Sequence, residues 1–544
     1  MTSQRKRVRV GVLLDSFTVP AWVDAALEQL SNAGAELALV VIARTTARRG
    51  STLGRLRDAF PHALYALYTR VDRSLFRSSV DALDPVDARG RFSCDTLEIR
   101  AEDLRREENL ARIAEHDLDV LVSFRAGGTD GEVARTARYG LWSFPMNDES
   151  GLGFFRFLTR GEHVTCIELQ TQADTGARRT ILRSFSASDP ISLHRARNEA
   201  FWKASSFAAR LLRDLPPPEL EDDNRLRTVE RYPTNLQMTR FLVGLGGRMA
   251  ARTTRRVLWD QQWFIAYRRR QPEIVPPRDL TGCAFFVPPT DRFYADPFLF
   301  SAPDGRRYLF FEDWRNADSK ALISRIELFP DGTFSSPRVV LERDYHLSYP
   351  FVFASGGEIY LLPETADAHR VELYRAVEFP DRWEPDRVLV DGVPMFDATL
   401  LERDGKVWMF TNLATRLGTP SNELSVFWSD SLGGKWHPHA QNPVVSDVRC
   451  ARPAGRLIVH EDRLIRPAQD GSVRYGYALT FREILELTPD SYAEVEVSRI
   501  TPEAIKGNLG THHYDADTEF EVFDARVEIP RWRSRTTHLL LSPS

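Results

Sequence analysis

Tyr294-Ala-Asp-Pro-Phe-Leu-Phe300 is echoed by Leu347-Ser-Tyr-Pro-Phe-Val-Phe353, then by Met395-Phe-Asp-Ala-Thr-Leu-Leu401, Cys450-Ala-Arg-Pro-Ala-Gly-Arg456 and Leu509-Gly-Thr-His-His-Tyr514. Turns follow the first three, at Asp304-Gly305, Gly356-Gly357 and Asp404-Gly405, each ahead of a short apolar run. From Asp296 to Tyr349 is 53 residues, from there to Asp397 48, and from there to Arg452 55. Short strands bounded by Gly, Asp, Asn and Pro, repeating at about 50 residues, point to propeller blades. Five such units fit residues 286–533, leaving 534–544 as a tail, and residues 262–267 offer a further strand to close the ring.

Ahead of this region the pattern is different. Apolar runs at 8–14, 36–42 and 118–124 alternate with stretches of helical spacing at 21–34, 104–116 and 131–139. Short buried strands separated by helices predict a parallel sheet covered on both faces. Residues 141–144 and 164–170 are further strand candidates, and 192–215 reads as one long helix stopped by Pro216, Pro217 and Pro218. The expected organisation is an α/β domain over 1–215, a linker over 216–285 and an all-β five-bladed propeller over 286–533. The linker is acidic at 219–224 and then basic, with apolar residues interleaved at partly helical spacing. Residues 225–270 therefore read first as an amphipathic connector whose arginines are simply solvated, with an anionic lipid surface as the alternative partner.

At 544 residues the chain is too long for one hydrophobic core. A net charge of −4 is too small to argue for nucleic acid as a partner. No stretch approaches the ~18–20 apolar residues that span a bilayer. The start is basic but leads into a strand-like run, with no cleavable signal core. Four scattered cysteines form neither a disulfide framework nor a zinc knuckle, so no metal is expected and a reducing cytoplasm is the default location.

In a propeller the innermost strand of each blade lines the axial channel. The starts of those strands supply Asp296, Tyr349, Asp397, Arg452 and His512 or His513, and the strands that follow add Glu312 and Glu364. Several carboxylates, an arginine and a histidine in one funnel are costly to arrange unless they bind something. A carboxylate pair, one protonated and one ionised, can run acid/base chemistry on a glycosidic bond. The competing reading is that Asp and Arg satisfy each other across the channel. His346, Trp314 and Gln469 add the aromatic and amide groups that suit sugar rings and hydroxyls, although such residues also pack cores.

These motifs, together with Phe310-Phe-Glu, Leu362-Pro-Glu, Val371-Glu-Leu-Tyr-Arg and Arg466-Pro-Ala-Gln-Asp, resemble the propeller domain of plant glucosamine inositolphosphorylceramide transferases and their bacterial relatives. That domain is in turn similar to five-bladed arabinanase- and xylosidase-type hydrolases. The resemblance covers nearly all of 286–533. It implies Asp296 as general base, with Glu364 a candidate acid and Asp397 a third catalytic candidate. Glu312, His346, Tyr349, Arg452, Gln469, His512 and His513 fall to substrate binding. Tyr349 stands where the hydrolases often carry an acid, which argues against simple hydrolysis.

Gly140-Leu-Trp-Ser-Phe-Pro-Met-Asn-Asp148, Gly161-Glu-His-Val-Thr-Cys-Ile-Glu-Leu169 and Ala173-Asp-Thr-Gly176 resemble the folate-dependent formyltransferase fold over about residues 7–215. That family needs an Asn-x-His pair and a downstream Asp to polarise the formyl carbonyl and manage the amine proton. The matching positions here are Ser143, Pro145 and Asp174. Only Asp174 keeps its type, so formyl transfer by that route should be lost and a folate derivative is not expected to bind. Asp148 and His163 lie nearby in sequence.

The leading expectation is a carbohydrate-active transferase, cytoplasmic or peripheral to the inner face of a membrane. Its funnel takes a sugar or nucleotide sugar, Arg452 faces a phosphate or carboxylate, and no cofactor is evident. The alternatives are a non-catalytic glycan-binding protein, and a formyl or acyl transferase acting through the front domain.

Overall fold

The computed structural model describes residues 7–44, 60–125, 131–147, 151–172, 177–220, 231–271, 273, 275–414, 422–504 and 507–531. The chain divides into two compact units, Met1–Met249 and Ala250–Ser544, so the division falls inside the segment expected to be a linker.

The first unit holds a seven-stranded sheet in the order Asp95–Arg100, Glu36–Arg44, Arg9–Leu14, Val120–Ser123, Leu141–Ser143, Val164–Gln172, Arg178–Ala187. The first five are parallel, and apart from the edge strand Asp95–Arg100 their apolar runs are buried as two-sided strands must be. The last two are antiparallel, a departure from the all-parallel expectation. They follow one another through a short connection, which allows a hairpin but not a crossover. Helix Ala21–Asn32 buries Trp22, Val23, Ala26, Leu27 and Leu30 at the spacing of one helical face. The helix expected over 192–215 is two, Leu193–Ala204 and Phe207–Leu211. The break falls at Ser205 and Ser206, whose hydroxyls donate back to the carbonyls of Trp202 and Lys203.

Among the described residues, a long helix and a long strand lie wholly within the expected linker. Helix Asn235–Leu258 buries only Met238 and Leu245. Strand Trp259–Arg269 pairs antiparallel with Phe520–Pro530 along its whole length, from Trp259↔Pro530 to Arg269↔Phe520. The closing strand is thus longer than residues 262–267, and the propeller's sheets draw in residues well before 286. The apolar run Trp263 to Ala266 is buried there, and Arg268 from the basic run is held by Glu521 and Asp279.

Five sheets make the five-bladed propeller. Four run outward in sequence order from innermost strands Arg292–Ser301, Ser348–Ser355, Met395–Arg403 and Arg452–Pro453. The fifth combines Tyr514–Ala516 and Phe520–Pro530 with Trp259–Arg269 and Ala284–Phe286, so strands distant in sequence lock the ring. The repeated motif has a shared geometry. Pairing register breaks at Ala295/Phe298, Ser348/Phe351 and Phe396/Thr399. Inside each break one non-glycine residue is left-handed: Asp296 at φ 50°, Tyr349 at 48° and Asp397 at 52°. Such a conformation costs roughly 1–2 kcal/mol for an L-residue, and a bulge re-aims the side chain it carries. Pro297 and Pro350, which lack an N–H, suit a broken ladder.

Candidate functional site

Each bulge frees a backbone N–H, and a carboxylate of the preceding blade takes it. Asp524 Oδ2 accepts from Asp296 N at 3.4 Å, Asp296 Oδ2 from Tyr349 N at 3.3 Å, and Glu364 Oε2 from Asp397 N at 3.3 Å. The carboxylates therefore stand around the axis because the fold needs acceptors there. All three are buried.

Asp296 is the centre of this arrangement. Its Oδ1 lies 3.3 Å from His512 Nε2 and 3.6 Å from His513 Nδ1. His512 Nδ1 lies 2.7 Å from Asp524 Oδ2, and Asp524 Oδ1 accepts from the backbone N–H groups of His512 and His513. His512 thus has a carboxylate at each ring nitrogen. Burial disfavours its charge, but the attraction and hydrogen bonding of Asp524, with Asp296 behind it, outweigh burial and hold its pKa above 6.5. Asp524 is correspondingly held below its ordinary range, because His512 overcomes its burial. Burial pushes Asp296 up to about 7 even though His512 pulls the other way. His513 packs against the rings of Phe298 and Tyr349, and burial drives it down to about 3, so it is neutral.

Across the funnel, Asp397 receives Arg452 Nε at 2.5 Å and Nη2 at 3.3 Å, with Gln469 Nε2 at 3.3 Å. Arg452 also lies 3.7 Å from Glu364. Glu364 and Glu312 are both raised well above the usual carboxylate range, first by burial and then by neighbouring carboxylates. Both are thereby biased toward the neutral form that can donate. His346, half-buried, accepts from Ala321 N through Nδ1, which leaves Nε2 carrying the proton 3.7 Å from Glu312. Trp314 packs on its ring. An Asp296 near 7 beside glutamates raised well above their ordinary range is the kind of difference that acid/base chemistry uses.

The residues expected at the site converge, with one correction. Tyr349 does not offer a binding hydroxyl. Its side chain is fully buried, bonded to Thr399 Oγ1 at 2.6 Å and accepting from Gly455 N at 2.8 Å. Gly455 has φ 126°, and a Cβ there would fall 1.8 Å from Tyr514 O, so this approach requires glycine. The sequence held no metal-ligand spacing, yet the fold gathers Asp296, His512 and Asp524 with ligand atoms within 4.8 Å of one another, a set that could hold a cation.

Two neighbours escaped the sequence reading. Asp524 lies within Phe520-Glu-Val-Phe-Asp-Ala-Arg, where an acid following apolar residues was a signal for a buried role. Tyr475 is 49% exposed, its ring 5.2 Å from both the Arg452 guanidinium and His512. It sits beside Gly476, whose left-handed turn is the only local hint.

In the first unit, Ser143 ends the strand Leu141–Ser143 between Ser123 and Gln170. Pro145 lies in the turn that follows, and His163 is exposed. Asp148 and Asp174 fall outside the described residues.

Fold and centre together define a five-bladed propeller with a buried carboxylate–histidine cluster at its axis. The family described as "Glucosamine inositolphosphorylceramide transferase 1, N-terminal" matches residues 283–518. The chain is similar to proteins named glucosamine inositolphosphorylceramide transferase 1. The rice (japonica) protein is 38% identical over 233 residues, 41% of this chain and 31% of that protein. The Arabidopsis thaliana protein is 34% identical over 232 residues, 41% of this chain and 30% of that one. The match thus spans about a third of these relatives. Among solved structures, a family 117 glycoside hydrolase of the marine bacterium Zobellia galactanivorans aligns at TM-score 0.33 and 12% identity, over 49% of this chain and 92% of its own.

Proposed function

We propose that the propeller funnel is the site of a carbohydrate-active transferase that moves a glycosyl group onto a lipid or small-molecule acceptor. The observation that carries this is the centre itself. Asp296 is raised to about 7 between two histidines, among glutamates raised well above the usual carboxylate range. Asp296 acts as base toward the acceptor hydroxyl and Glu364 as acid toward the leaving group. Arg452 positions an anionic or hydroxyl-rich portion of the ligand. The names of the relatives supply the substrate class, a sugar and an inositolphosphoryl lipid. Incubating the full chain with nucleotide sugars and an inositolphosphoryl lipid should yield a glycosylated product. Asp296→Asn should lower its rate by about 10²–10⁴-fold, the usual contribution of a positioned acid or base. Unchanged turnover in that variant would remove Asp296 from the mechanism.

A specific observation favours a second reading. Asp296, Glu364 and Asp524 each accept a neighbouring blade's N–H, so their presence has a structural reason. A glycan-binding propeller without turnover would then give saturable sugar binding and no product with any donor.

The first unit serves in this reading as a formyltransferase-like scaffold without formyl transfer, since Pro145 has no titratable group. Calorimetric binding of a folate derivative would overturn that. Helix Asn235–Leu258 suits a peripheral position on a membrane. Leu236, Leu242, Val243, Met249 and Val257 are exposed on it, and it carries five arginines and no acid. No helix among the described residues is long and apolar enough to cross a membrane. Co-sedimentation with anionic but not neutral vesicles is the expected result.

A further inference from the structure

Two helices of the first unit face each other across a groove. Leu152–Arg160 presents Leu152, Phe155 and Arg156 at the i, i+3, i+4 spacing of one helical face. Asn235–Leu258 presents Phe241, Gly244 and Arg248 at i, i+3 and i+7, with Arg240 beside them. The rings of Phe155 and Phe241 meet at 5.0 Å. Between the helices lies a cavity of about 480 Å³, to which Arg231 is added from the segment before the second helix. Arg231, Arg240 and Arg248 are exposed, so the cavity is reached from solvent.

The sequence holds this groove open. Thr234 and Gln237 cap the second helix reciprocally: Gln237 Oε1 accepts from Thr234 N at 2.8 Å, and Thr234 Oγ1 accepts from Gln237 N at 3.3 Å. Asn235 ties the same end to the unit, accepting from Leu64 N at 3.0 Å and donating to Phe60 O at 2.8 Å. Gly244 leaves room over the middle of the groove. A Cβ there would meet only the Arg248 guanidinium, with Nη1 at 3.7 Å. Arg248 folds back along the helix until its guanidinium stands 5.8 Å from the centre of the Phe241 ring.

Four arginines line the cavity and no carboxylate does. The second helix carries no acid of its own. Among the described residues no carboxylate engages Arg231, Arg240 or Arg248, whereas Arg255 on the same helix is held by Glu528. A concave site lined by one sign of charge concentrates the opposite sign. Its volume falls within the roughly 300–1,000 Å³ of small-ligand sites, while a protein partner needs a surface of about 1,200–2,000 Å². The exposed apolar residues Leu242, Val243 and Val257 project from other sides of the helix, so a membrane contact through them does not use the groove.

We propose that this groove binds a soluble organic polyanion with an apolar body. The body lies against Leu152, Phe155 and Phe241. Two or more anionic groups, carboxylates in the simplest case, are taken by the guanidinium forks. The site belongs to the first unit and does not depend on the transferase reading.

Calorimetric titration of the full chain at physiological ionic strength tests both halves of the ligand. The probes are naphthalene dicarboxylate, naphthoate with one charge fewer, neutral naphthalenemethanol, and citrate, which has charge without an apolar body. Wild type should bind the dicarboxylate about tenfold more tightly than naphthoate, and the other two more weakly still. Arg240→Gln and Arg248→Gln should each weaken the dicarboxylate about tenfold, the loss of one charge-assisted contact. Arg252→Gln makes the same change of charge on the same helix outside the groove and should leave binding unchanged. Gly244→Leu fills the groove without altering charge. It should abolish binding and melt at or above the wild-type temperature, since leucine is the better helix former. No binding by wild type, citrate binding as tight as the dicarboxylate, an equal loss in Arg252→Gln, or binding retained by Gly244→Leu would each overturn the site. Asp296→Asn should bind the dicarboxylate as wild type does, so failure of the transferase reading and failure of this site are read separately.

Discussion

In the first unit His194 lies 3.0 Å from Asp81 through Nε2, and its backbone N–H goes to Asp72. In the propeller His512 has a carboxylate at each ring nitrogen, at 2.7 and 3.3 Å. Both imidazoles are buried, yet they settle on opposite sides of 6.5. Burial wins for His194, whose pKa is lowered, and Asp524 wins for His512, whose pKa is raised. At His194 burial, with Arg73 adding to it, outweighs Asp81 and Asp72. A carboxylate at each ring nitrogen biases His512 toward its charged form and leaves Asp296, raised to about 7, as a group that changes state near neutrality. Perturbed titration alone therefore does not mark a site, while an excess of ionisable groups over what packing requires does.

The largest test of this contrast is removal of one acid from each region. Asp397→Ala strips Arg452 of its closest carboxylate and should reduce stability by about 3–5 kcal/mol, the range for breaking a buried ion pair from one side. Asp81→Ala leaves a neutral imidazole with an unmet hydrogen bond and should cost about 1–3 kcal/mol. Urea unfolding followed for each unit gives both numbers. An Asp81→Ala effect equal to or larger than that of Asp397→Ala would break the distinction between the two regions.

The contrast has a pH signature of smaller size. Folded His512 keeps a proton that the unfolded chain releases near 6.5. Its stabilising contribution is complete below that value and is lost as pH rises through the raised folded value. Folded His194 refuses a proton that the unfolded chain binds, so its contribution is complete above 6.5 and is lost as pH falls below it. The stability difference between wild type and His512→Gln should therefore shrink from pH 6 toward alkaline pH. The difference between wild type and His194→Gln should grow up to about pH 6.5 and then level off. Neither slope can exceed about 1.4 kcal/mol per pH unit for one proton. Slopes of the same sign would mean that the two histidines share one environment.

Much of the propeller was legible because its geometry repeats in sequence. A proline-marked bulge opens the first strand of each of two blades, and the related Asp397-Ala-Thr motif opens a third, so Asp296 and Asp397 announce themselves locally. Asp524 did not, because its meaning lies in contacts such as the one with Asp296, 228 residues away. Tyr349 repeats the motif faithfully, and only the three-dimensional arrangement reveals that Thr399 and Gly455 consume its hydroxyl. The closing strand was visible as an apolar run, but its basic flank disguised its length. In the first unit the strand Arg178–Ala187 has arginine and serine among its apolar positions, and this mixed pattern hid the hairpin.

The smallest effects compare one position in each unit's candidate region. Tyr475 is exposed beside Arg452 and His512, and Ser143 ends a strand of the first unit's sheet. Neither holds the fold together. Tyr475→Ala and Ser143→Ala should each change stability by no more than about 0.5 kcal/mol, as exposed or lightly packed positions do. They should part company on binding. An aromatic face against a sugar ring contributes through apolar area and CH–π contact, so Tyr475→Ala should raise the KM or Kd for a sugar ligand about tenfold, near 1.4 kcal/mol, with kcat little changed, because the ring touches ligand away from Asp296. Ser143→Ala should alter neither constant. Should Ser143→Ala weaken sugar binding while Tyr475→Ala does not, the ligand lies against the α/β sheet, and the propeller's charged centre is a structural device that happens to titrate.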